Sequence, residues 1–133
     1  MWELYDALIE DIDPSLRVER ALIGAWRALV ESRECAGLSS LLLKNHQPET
    51  RVGEVERWHG QPLKDLAALS KSWDAREAAL GVAALNAWHN QPERLRQASA
   101  RLFPAGSPDD PGDVFTQLLP WAKGKKVASV GHF

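Results

Sequence analysis

Cysteine is nearly missing from this chain: Cys35 is the one such residue among 133. That excludes an internal disulfide framework and any zinc or iron–sulfur site built from several thiolates. It also suits a reducing compartment. Long apolar runs are missing too. No segment approaches the ~20 apolar residues that cross a bilayer. The N-terminus, MWELYDALIEDI, has no basic lead and no apolar stretch of the signal-peptide kind. The expectation is a cytoplasmic protein with no membrane partner. Nor does charge of one sign prevail, since 16 Lys and Arg against 18 Asp and Glu leave a net charge of -2. The basic residues are dispersed apart from Lys123, Lys125 and Lys126. The electrostatic footprint of a nucleic-acid binder is therefore lacking.

Catalytic and metal-binding signatures are equally scarce. His46, His59, His89 and His132 show no HxxxH spacing, and Cys35 has no CxxC mate. No Ser–His–Asp or Cys–His arrangement is readable. The adjacent carboxylates Asp109 and Asp110 sit in a linker-like stretch, AGSPDDPG. No catalytic residue, metal ligand or cofactor can be named on this basis.

What is present is an ordinary globular composition, 44% apolar and 26% charged. At this length a single core forms, burying roughly two-thirds of the unfolded surface. The stretch Ser72 to Asn90, SWDAREAALGVAALNAWHN, has almost no polar face in its second half. A helix that is apolar all round is buried. Asp74 with Glu77 three residues later reads as a capping-box start, and Pro92 lies beyond its end. The six tryptophans are scattered. They are expected to fill the core or an interface, with one a candidate to line a ligand site.

Elsewhere the periods are mixed. Leu4, Tyr5, Leu8, Ile9 and Ile12 share a helical face over Trp2–Ile12, closed by Asp13-Pro14. Arg17–Ser32 reads as two strands hinged near Gly24, the residue with easy access to positive φ. A single helix over Ser15–Glu31 is the rival on propensity. Cys35–Leu43 reads as a buried third strand, and Lys44–Gly60 as loop. Helices come next over Leu63–Lys71, Pro92–Phe103 and Val114–Trp121. GKKVASVGHF then reads as the opening strand of an α/β unit.

Three segments carry a family resemblance: WELYDALIEDI with VERALIGAWRALV, GQPLKDLAALSKSWDAREAALGVAALNAWHN, and KGKKVASVGHF. In this order they resemble the family labelled "putative heavy-metal chelation". Its members join an enolase N-terminal-like domain to a Rossmann-like domain. The resemblance implies an α+β fold over residues 1–105, a three-stranded antiparallel meander packed on a helical layer. Residues 106–112 would be a linker, and 113–133 the first helix and strand of an incomplete Rossmann-like domain. It also implies a ligand site between the two halves, for a small polar metabolite or metal chelate. The family label is equally compatible with making or handling a chelator.

The candidate ligand-binding residues fall at two strand ends and on the apolar helix. Ser39, Ser40 and Lys44 stand at the end of the third strand, where hydroxyls and an ammonium suit a phosphate or carboxylate; an edge strand with surface polar groups is the plainer alternative. Gly131 and His132 would lie at the carboxyl end of a central strand, where open α/β sheets bind ligands. Asn86 sits on the apolar helix, where an amide must find partners. A neighbouring loop's backbone is the simpler one. A different class of function is also open: a non-catalytic module whose strand Lys126–Val130 completes the sheet of a partner, a second subunit or a missing C-terminal domain. A nicotinamide-dependent oxidoreductase rests on fold analogy alone.

Overall fold

The computed structural model describes residues 2–33, 35–41, 55–98 and 114–127. Helix α1 (Glu3–Glu10) opens the chain, and β1 (Arg20–Ile23), β2 (Arg27–Ser32) and β3 (Cys35–Ser40) come after it. Then come α2 (Leu63–Ala68), a 3-10 turn over Leu69–Lys71, α3 (Ala75–His89), α4 (Pro92–Gln97) and α5 (Val114–Ala122). The strands form an antiparallel meander in the order β1-β2-β3. The chain is thus α+β, a three-stranded sheet with helices on one face.

Strand formation over residues 20–32 arises from alternation. Ala28, Val30 and Ser32 of β2 are buried, while Arg27, Leu29 and Glu31 point the other way. A helix would have scattered the same residues around its circumference. The hinge differs from expectation. Gly24 does not take positive φ; its amide donates to the Arg27 carbonyl at 2.8 Å. Positive φ falls instead on Arg33 (48°), in the turn between β2 and β3.

Helix α3 packs chiefly on β3 and β2. Its buried residues are Ala79, Leu80, Gly81, Ala83, Ala84, Leu85 and Ala87. Small side chains let backbones meet. A Cβ added at Gly37 of β3 would lie closer than 3.0 Å to the Ala83 oxygen and the Ala87 nitrogen. At Gly81 it would crowd the backbone of Leu69 and Ser70 equally. The helix start is capped as its sequence suggests. The Asp74 carboxylate accepts from the amides of Arg76 (2.9 Å) and Glu77 (3.0 Å). Ser72 Oγ accepts from the Asp74 amide (3.1 Å) and donates to Glu77 Oε2 (2.7 Å), which closes the motif.

Below the sheet, Ile12, Val18, Val30, Leu63 and Leu66 are almost wholly enclosed. Leu4 of α1 is not, at 68% exposed, although it shares the helical spacing of Leu8 and Ile9. The tryptophans divide as well. Trp58 and Trp88 pack against the core. Trp2, Trp26, Trp73 and Trp121 are exposed, Trp73 at 98%. That corrects the expectation of core packing for these four; Trp73 stands at the exposed corner before α3, where Ser72 and Asp74 do the capping.

No helix among the described residues is long and apolar enough to cross a membrane. Most of the expected loop Lys44–Gly60, the linker 106–112 and the end of the expected helix Pro92–Phe103 lie outside the described residues. Of the expected strand Lys126–Val130, Lys126 and Val127 are described and are not in a strand; the rest lies outside.

Candidate functional site

A cavity of about 670 Å3 opens where four segments meet. The β2–β3 turn contributes Arg33 and Cys35. The end of α3 contributes Trp88. The entry and first turns of α4 contribute Gln91, Pro92, Glu93 and Arg96. The connection after α1 contributes Asp13 and Leu16. Leu16, Trp88 and Pro92 make its apolar wall, and two guanidinium groups, two carboxylates, an amide and a thiol make the polar one.

Local structure fixes these groups. The two-residue connection between Ser32 and Cys35 turns the chain by holding Arg33 at φ 48°. Left-handed backbone is unusual for a residue with a long side chain. Pro92 occupies the first turn of α4 and presets its φ. Trp88 is held from several sides: Arg94 stacks on the ring 4.3 Å from its centroid, and the indole Nε1 donates to Asp11 at 3.3 Å. Asp11 also pairs with Arg94. His89 Nε2 meets the Leu8 carbonyl at 2.9 Å, so the end of α3 is tied to α1.

The electrostatics are mixed. Two hydrogen bonds from Ser15, first its amide and then its hydroxyl, hold Asp13 below the usual carboxylate range, with a smaller contribution from Arg33. Burial pushes the Cys35 thiol up, and hydrogen bonds with Gln91 and Ser32 offset this only in part. The thiol donates to the Ser32 carbonyl at 2.7 Å. It is therefore a neutral donor rather than a thiolate nucleophile at neutral pH. Ser32 pairs with Cys35 across the ladder. Its buried hydroxyl has no hydrogen-bond partner among the described residues. Arg96 is paired with Glu93 at 3.2 Å, whereas Arg33 makes no ion pair among the described residues.

Of the residues expected from sequence, the three that are described, Ser39, Ser40 and Asn86, do not line this cavity. Ser39 points inward, is 8% exposed, and donates to the Ala79 carbonyl of α3 at 2.6 Å. Ser40 points to the opposite face, across from Arg27. Adjacent strand residues cannot share a face, so the two hydroxyls do not converge. Asn86 Nδ2 donates to the Leu38 carbonyl at 2.7 Å and ties α3 to the edge strand. Ser39 and Asn86 thus come together as anchors of β3 on α3, and neither lines the cavity. Lys44, Gly131 and His132 lie outside the described residues. Arg33, Gln91 and Arg96 belong to no sequence motif; a charged residue in a two-residue turn is the one available signal for Arg33.

Metal ligation has little to work with. Among the described residues no group of three or more His, Cys, Asp or Glu is placed to hold an ion. His59 Nδ1 is engaged by the Glu19 carbonyl at 2.8 Å.

Comparison with known proteins gives two findings. A family model described as "Putative heavy-metal chelation" matches residues 5–89. A solved structure of a protein with unknown function from the DUF364 family of Desulfitobacterium hafniense is similar, at 32% identity and a TM-score of 0.66. The alignment covers 78% of this chain and 41% of that one, so the chain spans about two-fifths of that relative. No curated protein matches.

Proposed function

Because the chain belongs to the family described as "Putative heavy-metal chelation", we propose that it forms one wall of a site for a small anionic metabolite or metal chelate. The observation that carries the reading is Arg33, kept in left-handed backbone where it lines the 670 Å3 cavity. Backbone strain of this kind persists where something else requires the residue, and it clusters at ligand sites. Glycine would fit the turn better but would remove the guanidinium. Its planar fork suits a carboxylate bidentately. Gln91 and the Cys35 thiol offer neutral hydrogen bonds beside it, and Trp88 a flat apolar surface. The pocket's size is ordinary for a small ligand.

Chelates of polycarboxylates fit this mixture better than bare cations, because Arg33 is a guanidinium with no ion pair among the described residues, whereas no group of three or more His, Cys, Asp or Glu converges there. The site would be completed by the second half of the protein, a Rossmann-like domain after an enolase N-terminal-like one. In that arrangement Lys44, Gly131 and His132 remain candidate ligand contacts, while Ser39 and Asn86 hold β3, whose far end carries Ser40. A cytoplasmic setting accords with a cysteine kept as thiol.

Zinc citrate is a suitable probe, since it neither absorbs nor quenches tryptophan by itself. Titration should change the Trp88 emission, read as the difference between the native protein and Trp88→Phe. Arg33→Gly should remove the response while leaving thermal stability equal or higher. Free zinc should produce no saturable change. If zinc citrate and citrate both leave the emission untouched, or if Arg33→Gly binds as well as the native protein, the reading is wrong.

A further inference from the structure

Among the described residues, the helix that packs on the sheet, α3, covers one face of it. Its other face carries a row of leucines set by the register: Leu22 opposite Leu29, and Leu29 opposite Leu38. Leu22 is 48% and Leu38 52% exposed. On the central strand the row is bracketed by charge. Arg27 lies two residues before Leu29 and Glu31 two residues after it, on the same face. Glu31 is held by Arg20 through two hydrogen bonds of 2.7 and 2.8 Å. Arg27 makes no ion pair among the described residues.

We propose that this face binds a second copy of the chain, about a two-fold axis that runs along the leucine row. Such a rotation places each leucine on its own mate. It reverses the strand direction, so Arg27 of one copy meets Glu31 of the other, twice. Arg20 then faces the Gly24 position rather than another charge, and Ala36 faces Ser40. The other in-plane axis, parallel to the strands, would set Arg27 on Arg27 and Glu31 on Glu31. The charges therefore select one dimer geometry and oppose its rival, as interface charges do when they fix register. The contact is isologous, as a two-fold requires. The face measures roughly 20 by 14 Å from strand spacing and rise. Both copies together bury less than the ~1,200 Å2 of a standard interface. The dimer is accordingly weak and concentration-dependent. The inference is independent of the cavity, which lies at the β2–β3 turn.

Sedimentation equilibrium of the full chain over a hundredfold range of concentration tests it. The native protein should pass from monomer to dimer. Arg27→Glu alone and Glu31→Arg alone should each stay monomeric, because each places like charges opposite one another. Mixed, these two variants should form a heterodimer, since both cross-pairs become attractive. Leu38→Lys should abolish association. Unchanged melting of the variants separates these effects from misfolding. A native protein that stays monomeric throughout, or a dimer that ignores Arg27→Glu, overturns the proposal. So does a failure of the mixed variants to associate.

Discussion

At Gly37 the backbone of α3 comes so near that no side chain fits between helix and strand. Gly60 offers a contrast. It holds φ at 77° but has nothing within 4 Å of the place a Cβ would take. The two glycines are thus needed for different reasons, one steric and one conformational. Gly60→Ala should cost about 1 kcal/mol, the cost of left-handed backbone. Gly37→Ala meets main-chain atoms that cannot rotate away, and should cost about 3 kcal/mol or more, the upper end for overpacking. Urea midpoints of the two variants decide it; equal losses would show that the strand can shift off the helix. Ser39 belongs to the same close contact. Its buried hydroxyl donates to an α3 carbonyl at 2.6 Å.

Among the elements, α3 shows how a cap and a core face cooperate. Propensity alone leaves a helix of this length marginal in water, so its stability comes from the buried alanines and leucines and from its first turn. Asp74→Ala removes the acceptor for two orphan amides and should destabilise by about 1 kcal/mol. That corresponds to roughly 4 °C in melting temperature for a domain of this size. A shift below 1 °C would mean that Ser72 and Glu77 cap the helix without it. The same helix is the most legible element. Its all-round apolarity, its Asp74 start and its end before Pro92 are all local signals. The strands are legible by their period of two. The turns are less so, because Gly24 and Arg33 exchange the roles that intrinsic preference assigns them. Arg33 keeps positive φ against its own preference, and a local reading relies on preference. The four exposed tryptophans stay out of the core for a related reason: ring size says how much surface is available to bury, but only the neighbours in space decide whether it is buried.

For the molecule as a whole, the cavity is beyond local reading, since its wall joins residues as far apart as Asp13 and Arg96. The core is different. Among the described residues every fully buried apolar side chain falls between Ile9 and Ala87. The C-terminal helix α5 instead exposes Leu118, Leu119 and Trp121 at 39%, 66% and 60%. A proposed boundary after residue 105 has a physical consequence. The sheet, α1 and α2–α4 should fold as one cooperative unit without residues 106–133. A chain ending at residue 105 should therefore melt in a single transition. Its midpoint should lie within about 4 °C of the full chain, equivalent to less than ~1 kcal/mol. It should keep the concentration-dependent association, because the leucine face lies before the cut, whereas any part of the zinc citrate response that depends on Gly131 or His132 should be lost. A much larger loss of stability would place residues 106–133 in the core of the same domain. Loss of association alone would move the dimer contact to α5, whose apolar residues would then be covered by the second copy rather than left in water.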